Sequence, residues 1–193
     1  MPLEIEAKMK VDDLDEIIRR LTSAGAQSTT EHLETNTFLD VSNRALQAAD
    51  KGLRMRANFD VKTGKSKSIV TFKGPRKPGV LKSREEIEFG VDDAGAATAM
   101  FAELGFAPTL SFQKRRRSWT LLSCKVELDE LPHIGSYVEV EGPSERQVNK
   151  AREALGLADQ PVISESYAAL LANYLDRHKI ASRVIVLAPK GTI

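Results

Sequence analysis

Leu3-Glu4-Ile5-Glu6-Ala7-Lys8-Met9-Lys10-Val11 alternates without a break. Glu4, Glu6, Lys8 and Lys10 fall on one side of a strand; Ile5, Ala7, Met9 and Val11 fall on the other. Two carboxylates at i and i+2 on one strand face lie about 7 Å apart and repel, so something has to compensate them. Alone, the stretch is the charged outer face of an antiparallel sheet with its apolar face on a core. The segments that follow decide between that reading and a sharper one.

The same alternation recurs. Leu53-Arg54-Met55-Arg56-Ala57 puts two guanidinium groups on one face. Ser68-Ile69-Val70-Thr71-Phe72-Lys73 puts Thr71 and Lys73 opposite Val70 and Phe72. In Lys82–Phe89, Arg84, Glu86 and Glu88 oppose Leu81, Ile87 and Phe89. A long strand over Thr109–Leu122 carries Lys114-Arg115-Arg116-Arg117, and parity allows either Lys114 with Arg116 or Arg115 with Arg117. Lys125-Val126-Glu127-Leu128-Asp129 and Tyr137-Val138-Glu139-Val140-Glu141 alternate again. Gln27–Val41 is a further long, Thr-rich strand.

Helices separate these strands. Asp12-Asp13-Leu14-Asp15 starts one, with acids at the positive end of its dipole and an apolar stripe of Leu14, Ile17, Ile18 and Leu21. Arg44–Ala49 is a turn or short helical piece. Asp92-Asp93 caps a helix with the stripe Ala96, Met100, Phe101 and Leu104. Ser144 with Gln147 forms a capping-box pattern, and Ser164 opens the last helix, striped by Tyr167, Leu170, Leu171, Tyr174 and Leu175. Gly74-Pro75-Arg76-Lys77-Pro78-Gly79 is a basic, mobile loop. The tail over Ser182–Ile193, with its apolar run Val184–Ala188, is either an extra edge strand or a disordered end.

Composition sets the outer bounds. The chain has 193 residues, 41% hydrophobic and 28% charged, with a net charge of +1. That balance gives no dominant field for nucleic acid or a membrane surface. One cysteine, Cys124, permits neither an internal disulfide nor a thiolate cluster. There is no apolar leader and no run long enough to span a bilayer, so a soluble, cytoplasmic protein is expected. His32, His133 and His178 are scattered, and no Gly-rich phosphate loop, nucleophile elbow or internal repeat occurs.

Glu-x-Glu or Glu-x-Asp occurs four times, each within a strand: Glu4/Glu6, Glu86/Glu88, Glu127/Asp129 and Glu139/Glu141. Arg and Lys pair in the same way. Repeated carboxylate pairs suit hard divalent cations, and repeated guanidinium and ammonium groups suit a polyanion. Phosphoryl transfer needs both, since its catalysis is mostly positioning and charge neutralisation. Charge inside, apolar faces outside and helices over those faces imply a closed, water-filled barrel.

The ordered set Glu4-x-Glu6-x-Lys8, Leu53–Arg56, Thr71–Pro75, Lys82–Glu88, Leu104–Phe106, Lys114–Arg116, Glu127–Asp129, Gly135–Glu141 and Ser166-Tyr167 resembles the CYTH superfamily, the triphosphate tunnel metalloenzymes. The resemblance covers roughly residues 1–175 and implies an α+β fold, a closed eight-stranded antiparallel β-barrel with helices packed on the outside, as one tunnel domain over 1–178 followed by a tail, 179–193. It implies that Lys8, Arg54, Arg56, Lys73, Lys114 and Arg116 grip a triphosphate. Glu4, Glu6, Asp129, Glu139 and Glu141 would hold Mg²⁺ or Mn²⁺, and Arg84, Glu86, Glu88 and Glu127 would line the tunnel. Catalysis would fall to Glu4, Glu6, Lys8, Glu139 and Glu141. The family includes inorganic, thiamine and RNA triphosphatases and class IV adenylyl cyclases, and its members are often homodimers. The substrate expected here is inorganic triphosphate, ATP or thiamine triphosphate. The leading expectation is a triphosphatase, the second a cyclase making cyclic AMP and pyrophosphate, the third a non-catalytic polyphosphate-binding module. Two departures stand out. Asn36-Thr37-Phe38-Leu39-Asp40 replaces the Asp-x-Tyr-x-x-Asp pattern of many members, and Glu165 stands where some members supply a lysine.

Overall fold

The structure is a computed structural model that describes residues 3–77 and 82–188, the side chains of residues 3, 4, 82 and 83 excepted. The side chain of Glu4, the end of the Gly74–Gly79 loop, Leu81 and the last residues of the tail therefore lie outside the described residues. The fold is mixed α+β, with nine strands and five helices among the described residues.

The strands are β1 Leu3–Val11, β2 Gln27–Val41, β3 Gly52–Asp60, β4 Ser66–Lys73, β5 Lys82–Val91, β6 Phe106–Leu121, β7 Cys124–Leu131, β8 Gly135–Gly142 and β9 Val184–Ile185. Hydrogen-bonded neighbours follow the order β2-β3-β4-β5-β1-β8-β7-β6-β9, and β2 also pairs with β6. β2 therefore has a partner on each side, β3 and β6. All pairings are antiparallel except that of β9, which lies parallel to β6. Of the two readings of the tail, the short strand is the one found at Val184–Ile185.

The helices are α1 Leu14–Ser23, α2 Ala45–Ala48, α3 Ala94–Glu103, α4 Glu145–Ala154 and α5 Tyr167–Arg177. Asp13 caps α1 by accepting from the Asp15 and Glu16 amides at 2.7 and 3.2 Å, which satisfies donors that the helix itself cannot. The last helix begins two residues later than expected. Its cap is Ser166, which accepts from the Ala169 amide at 3.2 Å, and Ser164 precedes it.

Strand alternation sorts the side chains. Ala7, Met9, Val126, Leu128, Val138 and Val140 point to one face, where α1 (Leu14, Ile17, Leu21) and α4 (Val148, Ala151, Leu155) cover them. A fully buried leucine such as Leu21 contributes about 1.5–3 kcal/mol. α3 covers a second patch over Leu53, Met55 and Val70 through Ala94, Ala97 and Phe101. α5 behaves differently. Its Tyr167, Leu171 and Leu175 pack on Leu110, Phe112, Leu131 and Tyr137, which share parity with Lys114, Arg116, Asp129 and Glu139. α5 therefore sits against the charged face of the strands and, unlike α1, α3 and α4, departs from the expected outer position.

Candidate functional site

Cross-strand register brings the charged residues into one belt. Directly opposed pairs include Glu6 with Glu141, Lys8 with Glu139, Glu127 with Glu139, Arg116 with Asp129, Glu34 with Lys114, Arg54 with Thr71, and Lys73 with Glu86. The i, i+2 spacing seen in the sequence supplies the second member on each strand. The register also resolves the parity of the basic run. Lys114 and Arg116 are 1% and 8% exposed on the belt, while Arg115 turns away to Glu130 at 2.9 Å.

The belt surrounds a cavity of about 1210 Å³. Among the expected site residues, Glu6, Lys8, Arg54, Arg56, Lys73, Arg84, Glu86, Glu88, Lys114, Arg116, Glu139 and Glu141 line it. Glu127 and Asp129 support its wall from behind. Arg116 Nε donates to Asp129 at 2.7 Å, and its Nη2 reaches both Asp129 and Glu139. Lys114 donates to Asp129 at 3.1 Å, and the Ser118 hydroxyl donates to Glu127 at 2.6 Å. Asp129 is thus engaged by two cations. The Glu4 side chain is outside the described residues; its backbone pairs with Arg84.

Three participants have no counterpart among the expected site residues. Glu34 on β2 is buried and holds Arg56 at 3.3 Å, Lys114 at 3.4 Å and Arg116 at 3.9 Å. Burial alone would raise its carboxyl pKa, but Lys114, Arg56 and Arg116 outweigh that and hold it far below the usual carboxylate range. Asn36 accepts from Arg56 Nε at 2.8 Å. Tyr167, at the start of α5, lies under two ammonium groups, Lys8 at 4.2 Å and Lys114 at 5.0 Å from its ring centre, each such contact contributing about 0.5–2 kcal/mol. Lys8 Nζ also donates to the backbone carbonyl of Glu165 at 2.9 Å and pairs with Glu139 at 3.3 Å. The residue that departs from the family's lysine thus contributes its main chain. The signal for β2 was its even positions, His32, Glu34, Asn36, Phe38 and Asp40. Asp40 serves the neighbouring helix instead. Its carboxylate accepts from the Leu46 and Gln47 amides at 3.1 and 3.0 Å and fixes α2.

Arg54 carries the clearest electrostatic imbalance. It is 8% exposed, donates to Thr71 at 2.9 Å and approaches Glu88 only to 3.7 Å. Burial, with Arg56 adding to it, lowers its pKa to about 10. Its Nε–H, like that of Arg84, is buried without a hydrogen-bond partner. A buried donor left so is costly, and an anion in the cavity would offset the cost.

The acidic side fits a hard divalent cation in its chemistry. Glu6 and Glu141 face each other on adjacent strands and line the cavity with Glu139, an all-carboxylate donor set suited to Mg²⁺ or Mn²⁺. Directly opposed like charges repel, and a cation between them offsets this. Among the described residues no three His, Cys, Asp or Glu side chains are gathered closely enough to hold a metal as they stand. No helix among them is long and apolar enough to cross a membrane.

Comparison with known proteins gives concordant matches. The family model described as the CYTH domain matches residues 2–167. A Methanocaldococcus jannaschii protein named as a candidate adenylate cyclase is 24% identical over 180 residues, 87% of this chain and 98% of that protein. A solved structure from Pyrococcus horikoshii superposes with a TM-score of 0.77 at 23% identity, covering 89% of this chain and 99% of that one. A Hippeastrum protein, described as a candidate adenylyl cyclase that reveals a dominant triphosphatase activity, superposes with a TM-score of 0.66 at 20% identity over 100% of both chains.

Proposed function

The chain belongs to the CYTH domain family, and on that premise we propose that it is a divalent-metal-dependent triphosphatase that holds a small triphosphate in its interior cavity. The observation that carries the reading is the crowding of Lys8, Arg54, Arg56, Lys73, Lys114 and Arg116 around one cavity. Buried ion pairs contribute little to net stability, and such a concentration around one cavity is best explained by a ligand. The pairing of β2 with both β3 and β6 supports a closed eight-stranded tunnel.

The roles follow from chemistry. Arg54 and Arg56 present forked donors to phosphate oxygens, and Lys8, Lys73 and Lys114 present point charges. Lys8 is pre-positioned by Tyr167, Glu139 and the Glu165 carbonyl. Arg116 is fixed by Asp129 and Glu139, which leaves Asp129 as its anchor. Glu6, Glu139 and Glu141, with Glu4, are the candidate Mg²⁺ or Mn²⁺ ligands. The cation would supply charge neutralisation on the phosphate oxygens. One of the same carboxylates accepts the proton of the attacking water, which forms the new P–O bond while the phosphoanhydride bond breaks.

Glu6→Gln is expected to lower metal-dependent turnover by about 10²–10³-fold and to weaken Mn²⁺ binding read by electron paramagnetic resonance, with an unchanged circular dichroism spectrum. Wild-type turnover and Mn²⁺ affinity in this variant would remove Glu6 from the metal site. The names of the relatives favour a cyclase as a second reading, and product analysis separates the two. Incubation with inorganic triphosphate, ATP or thiamine triphosphate and Mg²⁺ should release orthophosphate; cyclic AMP with pyrophosphate would establish the cyclase instead, and binding without turnover a non-catalytic module.

A further inference from the structure

We infer that Arg152, on helix α4 outside the cavity, is a positioning residue for Lys8 inside it, acting through the segment that joins α4 to α5. This rests on the triphosphate reading above, in which Lys8 grips a phosphate, and extends it to a side chain that never meets the ligand.

Arg152 lies in the last turn of α4 and is half-buried. A cation there meets the negative end of the helix dipole, the ordinary reason for an arginine at such a place. Its contacts reach well past the helix end. Nη2 donates toward the carbonyls of Leu157, Ala158 and Gln160 at 3.3, 2.9 and 3.0 Å. Nη1 donates to the Asn149 side chain at 3.0 Å, and Nε to Met9 Sδ at 3.2 Å. A guanidinium reaches all of these from one rigid plane; a single ammonium does not cover that spread.

From Gln160 the chain runs through Pro161 and Val162 to Ile163. Pro161 fixes its own φ and disfavours a helical turn at Gln160. Val162 packs against the core beneath α4, so the link has little slack. The Ile163 amide then donates to the Lys8 carbonyl at 2.8 Å. β1 pairs with β8 over Ile5–Val11 but with β5 only over Leu3–Glu6. Among the described residues, Ile163 therefore stands where β1 has no second strand beside Lys8. Further on, the Glu165 carbonyl accepts from Lys8 Nζ, and Tyr167 brings its ring under the same ammonium. The segment holds Lys8 by its main chain and by its side chain. A second route is shorter: Met9, the sulfur partner of Arg152, is the next residue of β1 and points to the opposite face. Both routes from the guanidinium end on one cavity lysine.

A double-mutant cycle on the full chain tests this, read by calorimetric titration with the imido analogue of inorganic triphosphate and Mg²⁺. Arg152→Lys should weaken binding about tenfold, the scale of one charge-assisted hydrogen bond. In a Lys8→Gln background the same substitution should change affinity by no more than about twofold, because the group it positions is gone. Amide exchange needs no ligand: the Ile163 amide should exchange about tenfold faster in Arg152→Lys while that of Val148 within α4 keeps its protection, as expected for a local release. If Arg152→Lys does not fold, a glycine inserted between Gln160 and Pro161 loosens the link and leaves the Arg152 contacts in place, and the same losses are expected. Equal losses with and without Lys8 would make Arg152 a purely structural residue and overturn the inference, as would native affinity or native Ile163 protection in Arg152→Lys. If the wild type does not bind the analogue, the triphosphate reading has failed and this role falls with it; if the wild type binds and the losses are additive, only this inference has failed.

Discussion

Replacing Arg116 with methionine is expected to lower the folding free energy by about 3–5 kcal/mol, the cost of breaking a buried ion pair on one side. Asp129, Glu139, Glu34 and Glu127 all face this guanidinium. Asp129 and Glu34 would retain Lys114, which is too little for the buried charges left behind. The pH dependence should weaken as well. In the native protein Glu34 and Glu127 have lowered pKa values: burial opposes ionisation, but Lys114 at Glu34 and Arg116 at Glu127 lead the charges that outweigh it. Their contribution is present above the unfolded carboxylate pKa of about 4.3 and is lost as pH falls through the lowered folded values. Without Arg116, Glu127 loses the leading charge that opposes its burial, while Glu34 keeps Lys114 and Arg56, so the lowering of the Glu127 pKa is the part that is lost. The variant should then lose less stability than the native protein between about pH 5 and pH 3. Urea denaturation at both pH values reads this out; a loss below about 1 kcal/mol with an unaltered pH slope would contradict it.

Arg54→Met should do the opposite to the empty protein and more harm to the loaded one. Arg54 is a buried cation with one good partner, Thr71, and an unpartnered Nε–H, so removing its charge should cost little or even stabilise. A bound phosphate would receive charge-assisted hydrogen bonds from it, each contributing about 1.5–3 kcal/mol. Loss of two such bonds corresponds to about 10²–10³-fold weaker binding of inorganic triphosphate. Thermal melts with and without ligand separate the effects, because the ligand-induced rise in Tm follows the dissociation constant. A variant that melts earlier alone yet keeps the native ligand-induced shift would make Arg54 a structural residue.

How far the sequence carried the fold depends on contrast between strand faces. β1, β3, β7 and β8 alternate charge with aliphatic residues, so their faces were legible, and Glu6, Lys8, Arg54, Arg56, Glu139 and Glu141 line the cavity. β2 lacks that contrast: Glu31, Thr35 and Thr37 on the far face are as polar as Glu34 and Asn36, which hid a buried carboxylate that faces three cations. The stripe of α5 announced burial without saying which side of the sheet would cover it. Its apolar partners, Leu110, Phe112, Leu131 and Tyr137, alternate in phase with charged residues, and that phase relation was the available clue. β9, at two residues, is too short for a period, and Ser166 and Ser164 are equally good caps until the Ala169 amide is seen to choose.

The central claim is that this interior binds a triphosphate together with a divalent cation. Calorimetric titration of the full chain with inorganic triphosphate, with Mg²⁺ and then with EDTA, tests it most directly. The account predicts one site per chain, binding that weakens as salt screens the charges, a loss of affinity in EDTA, and weaker binding in Arg54→Met. Absence of binding, or binding that neither EDTA nor Arg54→Met alters, would contradict it.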